Sequence, residues 1–225
     1  AKEKWAKERC AVTPGQGCID AAVRGGHENV LDFIAAEFDV RTVPSQEAVN
    51  DAAANGMLAL LLDKCAGWET FPDTDGANGA AANGHLEVLK WLATKRKVYP
   101  SQSGADWAAA RGHMAVLRWL ATKRKVWPSQ EGADRAAKSG QLRVLRWLDV
   151  EKKIHPKQLG ADWAAISGQL EVLQWLVEVA AAAYPSQSGA DWAARNGHLE
   201  VLQWLATTTN VYPSEEGADL AAEKG

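Results

Sequence analysis

The sequence predicts an all-α solenoid of short helix–turn–helix pairs, and two periodic features carry this prediction. The tripeptide Gly-Ala-Asp begins at Gly104, Gly132, Gly160, Gly189 and Gly217, in steps of 28 or 29 residues. A second marker, usually tryptophan, precedes each of the eight prolines by 9 to 11 residues. The marker residues are Trp5, Phe33, Asp63, Trp91, Trp119, Trp147, Trp175 and Trp204. Such self-similarity at a fixed period is the signature of stacked repeats.

One unit, residues 101–128, shows how each element follows from its residues. Ser101 is a suitable N-cap, so a first helix is predicted over Gln102–Arg111. Gly112 then allows the turn, because glycine accepts a positive φ. A second helix is predicted over Met114–Thr122, where apolar residues form one broad stripe. Helices of about ten residues are unstable alone, so each pair must pack on its neighbours.

The same period divides the whole chain into seven complete and two incomplete units. The predicted complete units are 18–47, 48–75, 76–103, 104–131, 132–159, 160–188 and 189–216, and the incomplete ones are 1–17 and 217–225. The units 18–47 and 48–75 are the least regular, because the first takes 30 residues and the second has Asp63 at the tryptophan position. Neither end has the polar capping repeat of a solenoid, so we expect a fragment of a longer protein.

The chain has 11 tryptophans but only three phenylalanines and three tyrosines. Besides the row on the second helices, Trp107, Trp163 and Trp192 recur at one position of the first helices. An indole buries roughly 150–250 Å², so we interpret the excess as a core requirement multiplied by the number of repeats. A ligand-binding aromatic cage is the alternative.

Two segments, 83–92 and 196–205, resemble the second half of an ankyrin repeat. They read Asn-Gly-His-Leu-Glu-Val-Leu, then Lys or Gln, then Trp-Leu, and the pair Ala193-Ala194 matches the end of the ankyrin first helix. The chain is therefore similar, along its whole length, to the compact ankyrin repeats of protist and giant-virus proteins. It departs from the usual ankyrin repeat in taking 28 residues instead of about 33 and in having Ser-Gly-Ala-Asp for Thr-Pro-Leu-His at 103–106. The resemblance implies short loops, reduced or absent β-hairpins, and protein binding through the concave face and loops without catalysis.

Charge is distributed unevenly, although the formal net charge is only −3. Residues 85–155 contain 15 Lys and Arg against 6 Asp and Glu, and the remainder of the chain is acidic. The cations concentrate in the loops after the second helices: Lys95, Arg96, Lys97, Lys123, Arg124, Lys125, Lys152 and Lys153. Cations suit helix C-termini because of the helix dipole. Alternatively, the three loops form a basic strip about 20 Å long, given the usual spacing of packed helices, for an acidic partner.

The remaining polar rows do not predict catalysis. One histidine follows the turn glycine in several units, and we expect a hydrogen-bonding role for this row rather than metal binding. The helix aspartates, Asp106 and Asp134 among them, are expected to be solvated or hydrogen bonded. Active sites need different groups converging on one point, and we find no nucleophile elbow, phosphate-binding glycine loop or metal motif. No catalytic residue, metal, cofactor or small-molecule substrate is predicted.

The leading functional hypothesis is a non-catalytic protein-binding or scaffold module, or a subunit of a larger assembly. Its partner, a protein with an acidic patch, would contact the basic loops and the first-helix face, represented by Gln102, Asp106, Gln130 and Asp134. The alternatives are polyanion binding through the loops and an accessory role beside a catalytic domain outside this chain. The negative net charge disfavours nucleic acid. The few cysteines, the charged N-terminal residues and the lack of a bilayer-length apolar segment predict an intracellular protein.

Overall fold

The structure, a computed structural model, describes residues 14–38, 43–179 and 184–223. Within these ranges 15 helices follow one another and no residue lies in a β-strand, so the predicted all-α class is confirmed. The loops between the helix pairs are short, and no β-hairpin extends from them in the described ranges. Trp5, which anchored the incomplete unit 1–17, lies outside the described residues, as do the last two residues of the unit 217–225.

Each repeat contributes a first helix, here called A, and a second helix, B. The A helices are α1 (Gln16–Arg24), α3 (Gln46–Ala54), α5 (Thr74–Ala82), α7 (Gln102–Ala110), α9 (Gln130–Lys138), α11 (Gln158–Ile166), α13 (Gln187–Arg195) and α15 (Glu215–Ala222). The B helices are α2 (Glu28–Phe38), α4 (Leu58–Trp68), α6 (Leu86–Lys95), α8 (Met114–Arg124), α10 (Leu142–Lys152), α12 (Leu170–Val179) and α14 (Leu199–Thr208).

The chain forms two compact units, Ala1–Gly104 and Ala105–Gly225, and the division falls inside α7. In the first unit α1 packs on α3 and α3 on α5, and each of these A helices also packs on its own B helix. The second unit has the same arrangement from α9 through α15. Within each unit the helix pairs therefore stack as predicted for a repeat solenoid.

A glycine in the left-handed region joins the A helix to the B helix in each complete repeat. Gly112, for example, has a φ of 79°. The N–H of His113 then donates to the carbonyl of Ala108 at 2.9 Å, which satisfies a carbonyl at the end of α7. The turn is tight because the chain reverses over these few residues.

The core consists of alanine, leucine and valine rather than indoles. In the A helices, alanines such as Ala136 and Ala137 are fully buried, and the B helices add leucines such as Leu145 and Leu148. Of the predicted B-helix tryptophan row, Trp175 is buried, with 5% of its surface exposed. The other tryptophans of this row that the structure describes are half-buried: Trp91, Trp119, Trp147 and Trp204. Small A-helix residues bring the helices close together, so leucine fills most of the core, and Trp68 and Trp175 are the two indoles buried within the described residues.

The A-helix tryptophans contradict the core interpretation more strongly. Trp107 is 42% exposed and Trp192 is 45% exposed, while Trp163 is half-buried. Ala105, Ala108 and Ala109 share one face of α7, at the spacing that places residues on the same side of a helix. The tryptophan at position 107 falls on the opposite side, where it meets solvent. The prediction that this row belongs to the core is therefore wrong.

The Gly-Ala-Asp motif joins consecutive repeats through one recurring hydrogen bond. In the second unit Oδ1 of Asp134 accepts from the N–H of Lys157 at 2.8 Å, at the start of the next A helix. The equivalent pairs are Asp20–Ser45, Asn50–Asp73, Asn78–Ser101, Asp106–Ser129, Asp162–Ser186 and Asp191–Ser214. Each bond satisfies one N–H that a helix N-terminus leaves without a partner inside the helix.

The glycine of the motif permits this close contact between repeats. A Cβ added to Gly160 would lie 3.0 Å from Cα of Asp134 and 2.8 Å from Cβ of Pro156. Both distances are shorter than ordinary carbon contacts. The motif thus repeats because glycine makes room for the aspartate or asparagine of the preceding repeat.

Candidate binding surface

Three of the four A-helix residues predicted to contact a partner have polar groups that bond within the chain. Asp134 is 5% exposed. Gln130 donates from Nε2 to Oδ1 of Asp134 at 3.1 Å and to the carbonyl of His155 at 2.7 Å. The carboxylate of Asp106 accepts from the N–H and the hydroxyl of Ser129. Gln102 is exposed at the start of α7.

Burial raises the pKa of the Asp106 and Asp134 carboxyls. Hydrogen bonds from Ser129 oppose this rise at Asp106, and those from Lys157 and Gln130 oppose it at Asp134. Desolvation is the larger effect at both positions, so the ionised carboxylates carry a cost in this environment. The asparagines at the same repeat position, Asn50 and Asn78, accept an equivalent hydrogen bond without a charge.

A different row of A-helix side chains is open to solvent in the second unit. We call it the indole face, and it consists of Trp107, Arg135, Trp163 and Trp192, one residue from each of α7, α9, α11 and α13. These positions directly follow the aspartate of the repeat motif. Within each helix they lie away from the buried alanines.

Cations lie over the rings of the indole face. Cζ of Arg135 is 4.4 Å from the centroid of the Trp107 ring. Nζ of Lys138 is 5.7 Å from the Trp163 ring, and Cζ of Arg195 is 4.7 Å from the Trp192 ring. Such cation–π contacts orient both groups while leaving part of each indole exposed. The result is a row of rings and guanidinium groups with defined positions along four helices.

The predicted basic loops differ in how much of their charge is already paired. In the first unit the guanidinium of Arg96 lies 3.8 Å from the centroid of the Phe71 ring, and Lys95 and Lys97 are exposed. In the second unit Nζ of Lys153 is 3.2 Å from Asp149. The exposed loop cations of the second unit are Lys123, Arg124, Lys125, Lys152 and Lys153. A continuous strip through all three loops stays a prediction.

The last cation of each basic loop, a lysine, has a left-handed backbone. The φ angles are 61° at Lys97, 58° at Lys125 and 57° at Lys153, and Asn210 has 58° at the same repeat position. Lysine has no preference for this region, whereas asparagine tolerates it better. These lysines therefore occupy strained positions, which backbone preference does not explain.

Searches for metal ligands and membrane spans give negative results. No group of three or more His, Cys, Asp or Glu side chains within residues 14–38, 43–179 and 184–223 is arranged to hold a metal ion. None of the helices described above combines the length and the apolar character that crossing a bilayer requires.

Comparison with known families identifies part of the chain. The family model for ankyrin repeats (many copies) matches residues 161–206, from the middle of α11 to α14. This segment therefore matches ankyrin repeats. The family resemblance predicted from the sequence is confirmed there, and ankyrin repeats generally mediate protein–protein interaction.

Among solved structures, the chain is similar to the crystal structure of the pentatricopeptide repeat protein PPR10 from maize. The two share 16% sequence identity with a TM-score of 0.45, over 97% of this chain. The chain spans 38% of the length of that protein. At this level the similarity supports no inference about binding. A comparison with curated protein sequences gave no match.

Proposed function

We propose that this chain is a non-catalytic protein-binding module whose partner contacts the indole face of the second unit. The observation that carries the proposal is the row of partly exposed tryptophan and arginine side chains on consecutive A helices. Tryptophan and arginine are the residue types most enriched at the energetic centres of protein interfaces. Their rotamers are already restrained by cation–π contacts, which lowers the entropy cost of ordering them on binding.

The proposal differs from the sequence-based one in the residues it uses. The carboxylates of Asp106 and Asp134 are engaged in contacts between repeats, so the partner meets Trp107, Arg135 and Trp192 instead. The sequence prediction that the partner carries an acidic patch is retained, because Arg135, Lys138 and Arg195 accompany the rings. The setting proposed is intracellular, in keeping with the few cysteines and the free thiols of Cys18 and Cys65.

The test compares two double variants as bait for partners in extracts of the source cells. Trp107→Ser with Trp192→Ser removes the most exposed rings of the indole face. Val150→Ser with Leu199→Ser is the control, since these B-helix residues are 73% and 62% exposed and equally apolar. If the two interface centres contribute about 2 kcal/mol each and their effects add, losing both lowers the affinity roughly a thousandfold.

We expect the tryptophan variant to lose the proteins that the wild type retains, and the control to keep them. Equal retention by both variants, with unchanged circular dichroism, would contradict the use of the indole face. Equal loss from both would show that exposed apolar residues in general, rather than this row, cause retention.

A further inference from the structure

A cleft of about 520 Å³ lies in the second unit, beside the C-terminal halves of α8 and α10. Its lining includes Arg118, Ala121, Lys125, Trp127, Trp147 and Glu151. Clefts of roughly 300–1,000 Å³ are the usual size of sites for small molecules and peptide side chains. The cleft is formed by two B helices and the loop that follows α8, so it is separate from the A-helix row that makes the indole face.

Two stacked indoles form one side of the cleft. The ring centroids of Trp127 and Trp147 are 4.9 Å apart and their planes differ by 20°. Nζ of Lys152 lies 4.6 Å from the centroid of the Trp127 ring. Because Trp127 has two such neighbours, its ring is fixed, and the pair offers a rigid apolar surface.

The charged residues of the lining, Arg118, Lys125 and Glu151, leave the cleft with a net positive charge. Across the part of the second unit that the structure describes, the side chains of Arg118 and Lys125 have no ion-pair partner. Residues 105–155 contain 11 Lys and Arg against 5 Asp and Glu, so the surroundings are also positive. Glu151 is the one acidic residue in the lining. The excess of positive charge in and around the cleft favours an acidic ligand.

The next repeat shows that the cleft is not a general property of these helix pairs. There Asp149 takes the place of Ala121, and it pairs with Lys153 and lies 3.6 Å from Nε2 of His155. His155 and Trp175 replace the stacked indoles, with centroids 6.3 Å apart, and Trp175 is buried. Ala121 thus leaves open the space that Asp149 occupies one repeat later.

We propose that this cleft binds an acidic peptide segment of a partner protein, independently of the indole face. One apolar side chain of the peptide packs against Trp147 and Ala121, and flanking carboxylates pair with Arg118 and Lys125. A single-stranded nucleic acid fits less well. A base could stack on Trp127 only by displacing Lys152, because Trp147 and Lys152 already lie against that ring.

Three fluorescent probes are compared. Two are peptides of glutamate and serine that are identical except for one central residue, which is leucine in one and serine in the other. The third is an oligothymidylate with the same net charge. Binding is measured by anisotropy at low and physiological ionic strength. We expect the leucine peptide to bind about tenfold more tightly than the serine peptide, because only its side chain fills the cleft.

The key variant is Lys125→Gly, and its matched control is Lys153→Gly. Each removes one charge and relieves a left-handed φ, so neither is expected to unfold the chain. Only the first residue lines the cleft. We expect Lys125→Gly to weaken the leucine peptide about fivefold and Lys153→Gly to leave its affinity unchanged.

Four results would overturn the proposal. Equal affinity for the two peptides would remove the apolar subsite, and equal weakening by the two variants would show attraction to general positive charge. Tighter binding of the oligothymidylate than of the leucine peptide would replace the peptide with a polyanion. Loss of peptide binding in the double variant Trp107→Ser with Trp192→Ser would place the peptide on the indole face. The proposal for the cleft does not depend on whether the indole face binds a partner.

Discussion

The two sides of the A helices obey different rules. On the buried side, glycine, alanine and aspartate or asparagine recur from repeat to repeat, and a Cβ added to the motif glycine Gly160 would lie only 3.0 Å from Cα of Asp134 in the preceding repeat. On the solvent side the same helices carry Trp107, Arg135, Trp163 and Trp192, and a cation lies over each of the three indoles. The residue types on the buried side recur because packing requires them, so their recurrence indicates the fold rather than a function. The choice of residues on the solvent side is free of that constraint and can serve binding.

The largest expected effect is on the buried side, from Gly160→Ala. The new Cβ would meet the backbone of Asp134 and the ring of Pro156, neither of which can move without separating two repeats. We expect a loss of about 2–3 kcal/mol in the free energy of unfolding, measured by urea denaturation.

Gly67→Ala in α4 is the matched control for this change. No atom lies within 4 Å of a Cβ added there. Alanine favours the helix over glycine, so this variant should gain about 0.5–1 kcal/mol. If Gly160→Ala were as stable as the wild type, the tight contact between repeats would not exist.

A smaller loss in the free energy of unfolding is expected when the hydrogen bond between Asp134 and Lys157 is removed and Gly160 is left unchanged. Asp134→Ala leaves the N–H of Lys157 without its acceptor and should cost about 1–3 kcal/mol. Asp134→Asn restores an acceptor without a buried charge, as Asn50 and Asn78 provide one in the first unit, and should be at least as stable as wild type at neutral pH. An equal loss from both substitutions would contradict the role given to this oxygen.

The pH dependence of these variants distinguishes the charge from the hydrogen bond. Burial raises the pKa of Asp134 above its usual 3.8. The folded state therefore binds a proton more tightly than the unfolded state, and the wild type loses stability as the pH rises from that value through the folded-state pKa. Asp134→Asn lacks this ionisation. Its stability relative to wild type should increase over the same window, as followed by urea titrations at successive pH values.

The smallest expected change in stability lies on the solvent side. Trp192→Ser removes a ring that is 45% exposed and one cation–π contact with Arg195. We expect a loss of about 1 kcal/mol or less in the free energy of unfolding, well below that of Gly160→Ala. A loss as large as that of Gly160→Ala would place Trp192 in the core, as the sequence interpretation had it.

The sequence predicts the helix pairs, their turns and their period, because these depend on local signals such as Gly112 and the apolar stripe of α8. It does not determine which tryptophans are buried, since Trp175 and Trp147 occupy the same position and differ only through their neighbours. The exposure of Trp107 could have been predicted, because the neighbouring alanines of α7 define the buried side of that helix and Trp107 lies on the opposite side. The cleft could not have been predicted from the sequence. It depends on the small side chain of Ala121, at the repeat position that Asp149 occupies in the next unit.

Hydrogen exchange at the first residues of the A helices tests the central claim most directly. The N–H groups of Ser129, Lys157 and Ser186 lie where a helix N-terminus would normally leave them exchanging fast. Because each donates to an aspartate of the preceding repeat, we predict slow exchange at all three in the wild type and in Trp192→Ser. In Asp134→Ala the protection should fall most at Lys157. Fast exchange at these amides in the wild type would contradict the account.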